Sequence, residues 1–335
     1  MPETILQIDD LRTQYHDRKV VLKAVDGVSL SMERGSILGI VGESGCGKST
    51  LALSILNLVP HPGYIESGRI LFRGRDILTM PNSELRELRG EKISMIFQDP
   101  IAGLNPILSV GDQVQEIITA HSGIAKSEAH RMALSLLGSM GLPEPERLAQ
   151  RYPFQLSGGM AQRVMIAIAM ALKPDILIAD EPTSALDMTV QAQILEELRR
   201  LRERGVSIML ITHDLGVIAQ MADKVAVMYA GRLAEEGEAE TLFRRPRHPY
   251  TWALLESLPR IHEDTRRLRQ VQGRSPDMTN LPDECAFLPR CPKARLECRT
   301  LHSPRLSEIE AGHWVACYNP MYHAEEAEGF EPEDE

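Results

Sequence analysis

Short runs of β-branched and apolar residues alternate along the chain with stretches whose apolar positions recur every three or four residues. The apolar runs fall at 36–41, 93–97, 176–179, 207–211 and 225–229, and they are apolar on both alternating faces, as strands buried in a parallel sheet are. A helical pattern opens at Lys48, directly after the first run. This rhythm predicts an α/β fold with helices covering a buried parallel sheet. It breaks over about residues 100–155, which read as mostly helical, with 127–140 the clearest amphipathic piece, so a helical subdomain inserted into the sheet is expected there. From about Arg245 prolines become frequent and no strand pattern is legible, which predicts a separate C-terminal region over 245–323. The opening stretch 1–10 is acidic and strand-like, and no internal repeat is visible.

Bulk properties narrow the classes. The 335 residues suffice for one large domain and a small appendage, and the apolar fraction of 43% and charged fraction of 25% are those of an ordinary globular protein. Of the net charge of -10, seven acidic residues lie between Glu325 and Glu335 with no basic ones. The stretch 324–335 is therefore expected to be a solvated, disordered tail, and the balance argues against nucleic acid as a partner. The longest apolar stretches, 164–172 and 37–41, fall far short of the eighteen or more residues of a membrane span. No basic stretch followed by an apolar run stands at the start, so the cytosol is the expected compartment. Four of the five cysteines, Cys285, Cys291, Cys298 and Cys317, fall in the last fifty-one residues. In a reducing compartment that clustering favours metal over disulfides.

The most specific local chemistry is Gly42-Glu43-Ser44-Gly45-Cys46-Gly47-Lys48-Ser49-Thr50. It fits GxxxxGK[ST] in the required setting, after an apolar strand and at the opening of a helix. Glycines allow backbone N–H groups to converge on a phosphate, and the helix adds the positive end of its dipole. Lys48 would reach the β- and γ-phosphates of ATP, and the Ser49 hydroxyl would ligate Mg²⁺. Downstream, the apolar strand 176–179 ends in Asp180-Glu181, at the height where a doubly wound sheet carries its ligands. Asp180 would hold Mg²⁺, and Glu181 would take a proton from the attacking water.

Between these elements stands Leu156-Ser157-Gly158-Gly159-Met160-Ala161-Gln162-Arg163, and with it the chain resembles the ATP-binding cassette (ABC) family. Further landmarks follow in the family's order: Gln98 after the strand at 93–97, Ser184-Ala185-Leu186-Asp187 past Glu181, and His213 after 207–211. The resemblance covers roughly residues 4–240 and implies a nucleotide-binding domain over 1–244 with a phosphate-loop core, a parallel sheet, an antiparallel β edge and the inserted helical subdomain. It implies that Ser157, Gly158, Gly159 and Met160 grip the γ-phosphate held by a second cassette subunit, and that 184–187 line the contact between the two. Gln98 would sense Mg²⁺ and the γ-phosphate, His213 would bond the γ-phosphate, and Tyr15 would stack on adenine.

Phe97-Gln98-Asp99-Pro100, Leu104-Asn105-Pro106, Met160 in the signature, Val227-Met228-Tyr229-Ala230-Gly231 and Arg247-His248-Pro249-Tyr250-Thr251 are similar to ATPase subunits of dipeptide and oligopeptide importers. Phe154 departs from the His usual in that subfamily. The resemblance implies two transmembrane permease subunits, an extracytoplasmic solute-binding protein, a second cassette subunit forming a heterodimer, and a peripheral position on the cytoplasmic face of the membrane. Relatives of this architecture also import nickel or oligosaccharides. A soluble cassette ATPase of DNA repair or the ribosome would carry coiled-coil insertions or tandem cassettes, which this chain lacks, and a regulatory cassette would have lost Glu181. In such relatives the C-terminal cysteines hold a 4Fe-4S cluster. By ligand type alone four thiolates suit either that cluster or Zn²⁺, and the gaps of five, six and eighteen residues are wider than the close pairs of structural zinc sites. His313 is a candidate alternative ligand or a surface histidine, and Cys46 is expected to favour the thiolate beside Lys48 and a helix N-terminus.

Overall fold

A computed structural model of the chain describes residues 3–17, 20–184, 186–257, 273–279 and 281–322. Two long strands, β1 (Thr4–Asp17) and β2 (Val20–Glu33), precede β3 (Ile37–Val41), whose every residue is buried. Next come α1 (Lys48–Ile55), β4 (Gly63–Phe72) and the short β5 (Arg75–Asp76). Helix α2 (Asn82–Glu91), broken near Arg89 and Gly90, leads into β6 (Ile93–Ile96). The interval without strand pattern holds α3 (Val110–Ser122), α4 (Lys126–Ser139) and α5 (Pro145–Ala149), followed by α6 (Gly158–Met170). Alternation resumes with β7 (Ile176–Asp180), α7 (Met188–Glu203), β8 (Ser207–Ile211), α8 (Leu215–Met221) and β9 (Lys224–Tyr229). Strand β10 (Arg232–Glu238), α9 (Ala239–Arg244) and α10 (Pro249–Glu256) are followed by α11 (Glu297–Thr300), β11 (Ser307–Glu310) and β12 (His313–Val315).

The chain divides into two compact units, one of residues 1–7, 31–37 and 70–212 and the other of 8–30, 38–69 and 213–335. In the first, β7 pairs in parallel with β6 and with β8, bringing Ile178 opposite Met95 and Met209. All residues of these three strands are buried, which accounts for their largely apolar sequence. The same unit holds α3, α4, α5 and α6 packed on one another, with Val114, Ile118, Ala133, Leu137 and Val164 fully enclosed.

In the second unit β3 pairs in parallel with β9, with Ile40 opposite Ala226. Strand β10 turns back antiparallel on β9 through Ala230 and Gly231, both at positive φ. Parts of β1, β2 and β4 in this unit lie in the order β2-β1-β4. Leu51, Ile55, Val225, Val227, Tyr250 and Phe287 are buried in its core.

The expected fold class, α/β with a helical insertion, is what the chain adopts. One expectation is corrected. Strands do occur beyond Arg245: β12 pairs with β10, Glu235 facing Val315, and β11 pairs with β12. With three residues, β12 shows alternation only as His313 and Val315 buried on either side of exposed Trp314, too little for a sequence pattern. The acidic stretch 324–335 lies outside the described residues, and among the described residues no helix is long and apolar enough to cross a membrane.

Candidate functional site

In the second unit the phosphate loop leaves buried β3 and closes on α1. Gly47 caps that helix in the left-handed region with φ 107°, and a Cβ there would stand 2.0 Å from the Ala24 carbonyl oxygen. Gly42 is equally committed, since its Cβ would meet the Met228 carbonyl oxygen at 2.2 Å. Only glycine lets the loop pass backbone to backbone between these carbonyls. No side chain caps α1, so its first N–H groups remain directed at an incoming anion. The Lys48 ammonium curls over the loop, donating to the Gly42 carbonyl at 2.7 Å and the Glu43 carbonyl at 3.0 Å. Ser44 and Gly45 are exposed, while Ser49 and Thr50 are half-buried at the start of α1. Tyr15, half-buried on β1, sets its hydroxyl 3.5 Å from the Thr50 hydroxyl. His213 is exposed just before α8, whose N-terminus Asp214 caps by accepting from Gly216 N at 2.8 Å and Val217 N at 3.2 Å.

Cys46 corrects the sequence reading. Its side chain is buried, and burial pushes the thiol up despite the Lys48 charge. Removing a charge-bearing thiolate from water costs more here than the nearby ammonium returns.

Glu43, Tyr250 and Arg290 had no place in the sequence reading of the site, yet they fix the loop. Glu43 N–H donates to the Tyr250 hydroxyl at 2.9 Å. The Glu43 carboxylate receives both Arg290 terminal nitrogens at 2.8 Å and the Ser275 hydroxyl at 2.8 Å. The Arg290 fork holds the Glu43 carboxyl below the usual carboxylate range, and Glu43 in turn raises Arg290. The sequence signals were that Glu43 lies inside the loop motif, Tyr250 inside the Arg247–Thr251 motif, and Arg290 directly before Cys291.

In the first unit Asp180 ends β7 with its side chain buried. Glu181 follows in the left-handed region at φ 49° and donates its N–H to the Ile211 carbonyl at 2.8 Å. A non-glycine residue held there carries strain of about 1–3 kcal/mol, as functional positions often do. Ser184 N–H returns to the Glu181 carbonyl at 3.1 Å. Leu186 is half-buried, and Asp187 caps α7 by accepting from Thr189 N and Val190 N, each at 3.0 Å. Ala185 lies outside the described residues. Gln98 is exposed just beyond β6.

The signature opens α6, which starts at Gly158. Ser157 is its N-cap, the hydroxyl accepting from Met160 N at 3.4 Å, and Ser157 and Gly158 are exposed. Gly159 lies against Val190, where a Cβ would meet a methyl group at 2.9 Å. Phe154 is 70% exposed and stacks on Tyr152.

Cys285, Cys291, Cys298 and Cys317 line one cavity with His248, Phe287, Leu288 and Lys293. Burial pushes the Cys285, Cys291 and Cys317 thiols up, Cys317 to about 12. Among the described residues no group of three or more His, Cys, Asp or Glu side chains is arranged to hold a metal ion. The shared lining gathers the four thiols, the donor type of both iron–sulfur clusters and Zn²⁺, around one cavity. His313 is neither a surface residue nor part of the cavity lining: it is buried, its Nε2 2.7 Å from the buried Glu235 carboxylate. The Asp180 carboxylate in the first unit and the Ser49 hydroxyl in the second each offer hard oxygen of the kind that Mg²⁺ takes.

Comparison with known proteins adds the following. Residues 25–184 match the family described as ABC transporter, and residues 234–298 match the oligopeptide/dipeptide transporter C-terminal region. A dipeptide transport ATP-binding protein of Haemophilus influenzae is 45% identical over 95% of this chain and 96% of its own length. An oligopeptide transport ATP-binding protein of Salmonella typhimurium is 44% identical over 95% and 94%. Among solved structures, a dimeric ATP-binding cassette in a post-hydrolysis state bound to ADP and Pi aligns with TM-score 0.64 and 30% identity, covering 70% of this chain and 98% of that one.

Proposed function

The chain belongs to the ABC transporter family of ATP-binding proteins, and from that premise we propose that it energises an importer of dipeptides or oligopeptides. The observation that carries the reading is the phosphate loop, whose Gly42 and Gly47 leave room for backbone only and whose helix offers uncapped N–H groups. Likeness to dipeptide and oligopeptide transport proteins over nearly the whole chain supports the cargo class.

ATP is the substrate. Gly42, Ser44, Gly45, Cys46, Gly47, Lys48, Ser49 and Thr50 cradle its phosphates, with Lys48 leaving its carbonyl partners for the β- and γ-oxygens. Tyr15 flanks the base. Bound Mg²⁺ would neutralise charge on the transferred phosphoryl group, with Ser49, Gln98 and Asp180 as its protein ligands. Glu181 accepts the proton of the attacking water, and His213 bonds the γ-phosphate. Ser157, Gly158, Gly159 and Met160 serve the nucleotide of a second cassette subunit in a heterodimer, and Ser184, Ala185, Leu186 and Asp187 face that subunit. Two permease subunits, an extracytoplasmic binding protein and a peripheral place at the cytoplasmic membrane face complete the proposed assembly. Cys285, Cys291, Cys298 and Cys317 carry a 4Fe-4S cluster, supported by their shared cavity; zinc is the alternative, and iron and zinc analysis of anaerobically purified protein decides between them.

The experiment is Glu181→Gln combined with isolation from native membranes. The variant should bind ATP as the wild type does while hydrolysis falls at least about 100-fold, and two membrane-spanning chains should copurify. Unchanged turnover removes Glu181 from its role, and recovery without any membrane protein overturns the importer reading.

A further inference from the structure

The segment bearing Cys291 is tied directly to the phosphate loop. Arg290 is the residue before Cys291, and its side chain is only 6% exposed. Its two terminal nitrogens grasp the two Glu43 carboxylate oxygens at 2.8 Å each, a fork-on-fork pair joining residues 247 apart in sequence. One of those nitrogens also donates to the Tyr229 hydroxyl at 3.2 Å. The guanidinium lies over the Tyr229 and Phe287 rings, 5.9 Å from each centroid. Aromatic faces and a bidentate acceptor together leave it one orientation.

On the other side, Glu43 is one of the residues that give the loop its shape. Its carbonyl accepts from Lys48 at 3.0 Å and from Cys46 N at 3.3 Å, and its N–H is held by the Tyr250 hydroxyl at 2.9 Å. Fixing the carboxylate therefore fixes the peptide planes on which Lys48 rests. Neither Glu43 nor Arg290 belongs to the phosphate-binding set proposed above.

We propose that Arg290 is a positioning residue for ATP binding, holding the phosphate loop in register through Glu43 so that the four-cysteine segment forms part of the loop's scaffold. With the pair intact, the loop is organised before ATP arrives, and the ordering cost is not charged to binding. With it broken, Glu43 swings free and the loop must be ordered by the nucleotide itself. A disturbance at Cys291 reaches the loop by the same route, through its covalent neighbour.

This inference rests on residues 42–50 being the nucleotide loop, so Lys48→Ala is measured alongside. The test is equilibrium binding of a fluorescent ATP analogue to the full chain, with steady-state kinetics. Arg290→Gln and Glu43→Gln should each weaken binding about 10-fold, the scale of one lost charge-assisted pair. The double variant should bind like either single one, and Arg290→Lys should recover part of the loss because it keeps charge but not the fork. KM should rise with kcat held. A purely structural Arg290 would lower the melting temperature and leave the dissociation constant unchanged, and that result overturns the proposal, as would additive effects of the two single changes. Should Arg290→Gln fail to fold, Glu43→Gln and Arg290→Lys decide by the same readings. Normal binding by Lys48→Ala would instead refute the loop assignment beneath it.

Discussion

At the scale of single residues, environment rather than identity decides what the side chains do. Cys46 sits beside Lys48 at a helix N-terminus, a setting that lowers a thiol in an accessible loop. Burial reverses the sign. Maleimide at pH 8 should therefore modify Cys46 at least about 10-fold more slowly than the same cysteine in the denatured chain, read by peptide mass spectrometry; equal rates would show the thiol to be open. Glu43 shifts the other way, because the Arg290 fork and the Ser275 hydroxyl bind its charged form, with Lys48 adding a smaller attraction. A carboxyl lowered in the folded state contributes stability that is complete above its unfolded value of 4.5 and is lost as pH falls through the lower folded value. In denaturant titrations the stability gap between wild type and Glu43→Gln should thus be full well above pH 4.5 and close as pH falls below that value. A gap independent of pH down to 3 would mean that the pair contributes nothing through charge.

At the scale of elements, strand β3, the loop and α1 were legible in the sequence because their determinants are local. An apolar run, glycines at fixed offsets and a lysine at the helix start are all read within fourteen residues, 37–50. The signature at 156–163 was legible as a motif for the same reason, and the structure adds that Ser157 caps the helix it opens. What could not be read are pairings set by distant chain: Arg290 with Glu43, His313 with Glu235, and β12 with β10. No periodicity announces such partners, since each depends on where the intervening elements place two chain segments. Local determination also makes the loop intolerant. Gly47→Ala puts a methyl group into the Ala24 carbonyl, 2.0 Å from the ideal Cβ position, at φ 107°. Left-handed strain alone costs about 1–2 kcal/mol, before the clash. The variant should lose detectable ATP binding and melt at lower temperature, whereas Gly45→Ala, with nothing within 4 Å of its Cβ, should cost only the backbone strain. Equal behaviour of the two variants would contradict the close approach to Ala24.

At the scale of the whole molecule, the second unit does not stop where the sequence changes character near Arg245. Tyr250 and Phe287 are buried in its core and stand with ring centroids 4.5 and 5.3 Å from Tyr229 at the end of β9. Glu235 on β10 is fully buried, accepting from Arg247 N, from His248 N at 2.9 Å and facing His313. Its hydrogen-bond partners among the described residues, Arg247 N, His248 N and His313 Nε2, all lie beyond residue 245. A chain ending at Arg244 would therefore leave three liabilities at once: an aromatic core cut open, β10 without β12, and a buried carboxylate stripped of its donors. Each buried aromatic is worth about 3–5 kcal/mol, and leaving a buried polar group without its hydrogen-bond donors costs about 1–3 kcal/mol more. Against a total stability of only about 5–15 kcal/mol, such losses leave little margin. The truncated cassette should melt at least about 10 °C below the full chain and bind ATP more weakly, because the Tyr250 and Arg290 contacts to Glu43 go with it. Calorimetry of both chains decides: coincident melting curves would establish 1–244 as an independent domain, and a large drop would establish that the C-terminal region is built into the fold of the phosphate loop.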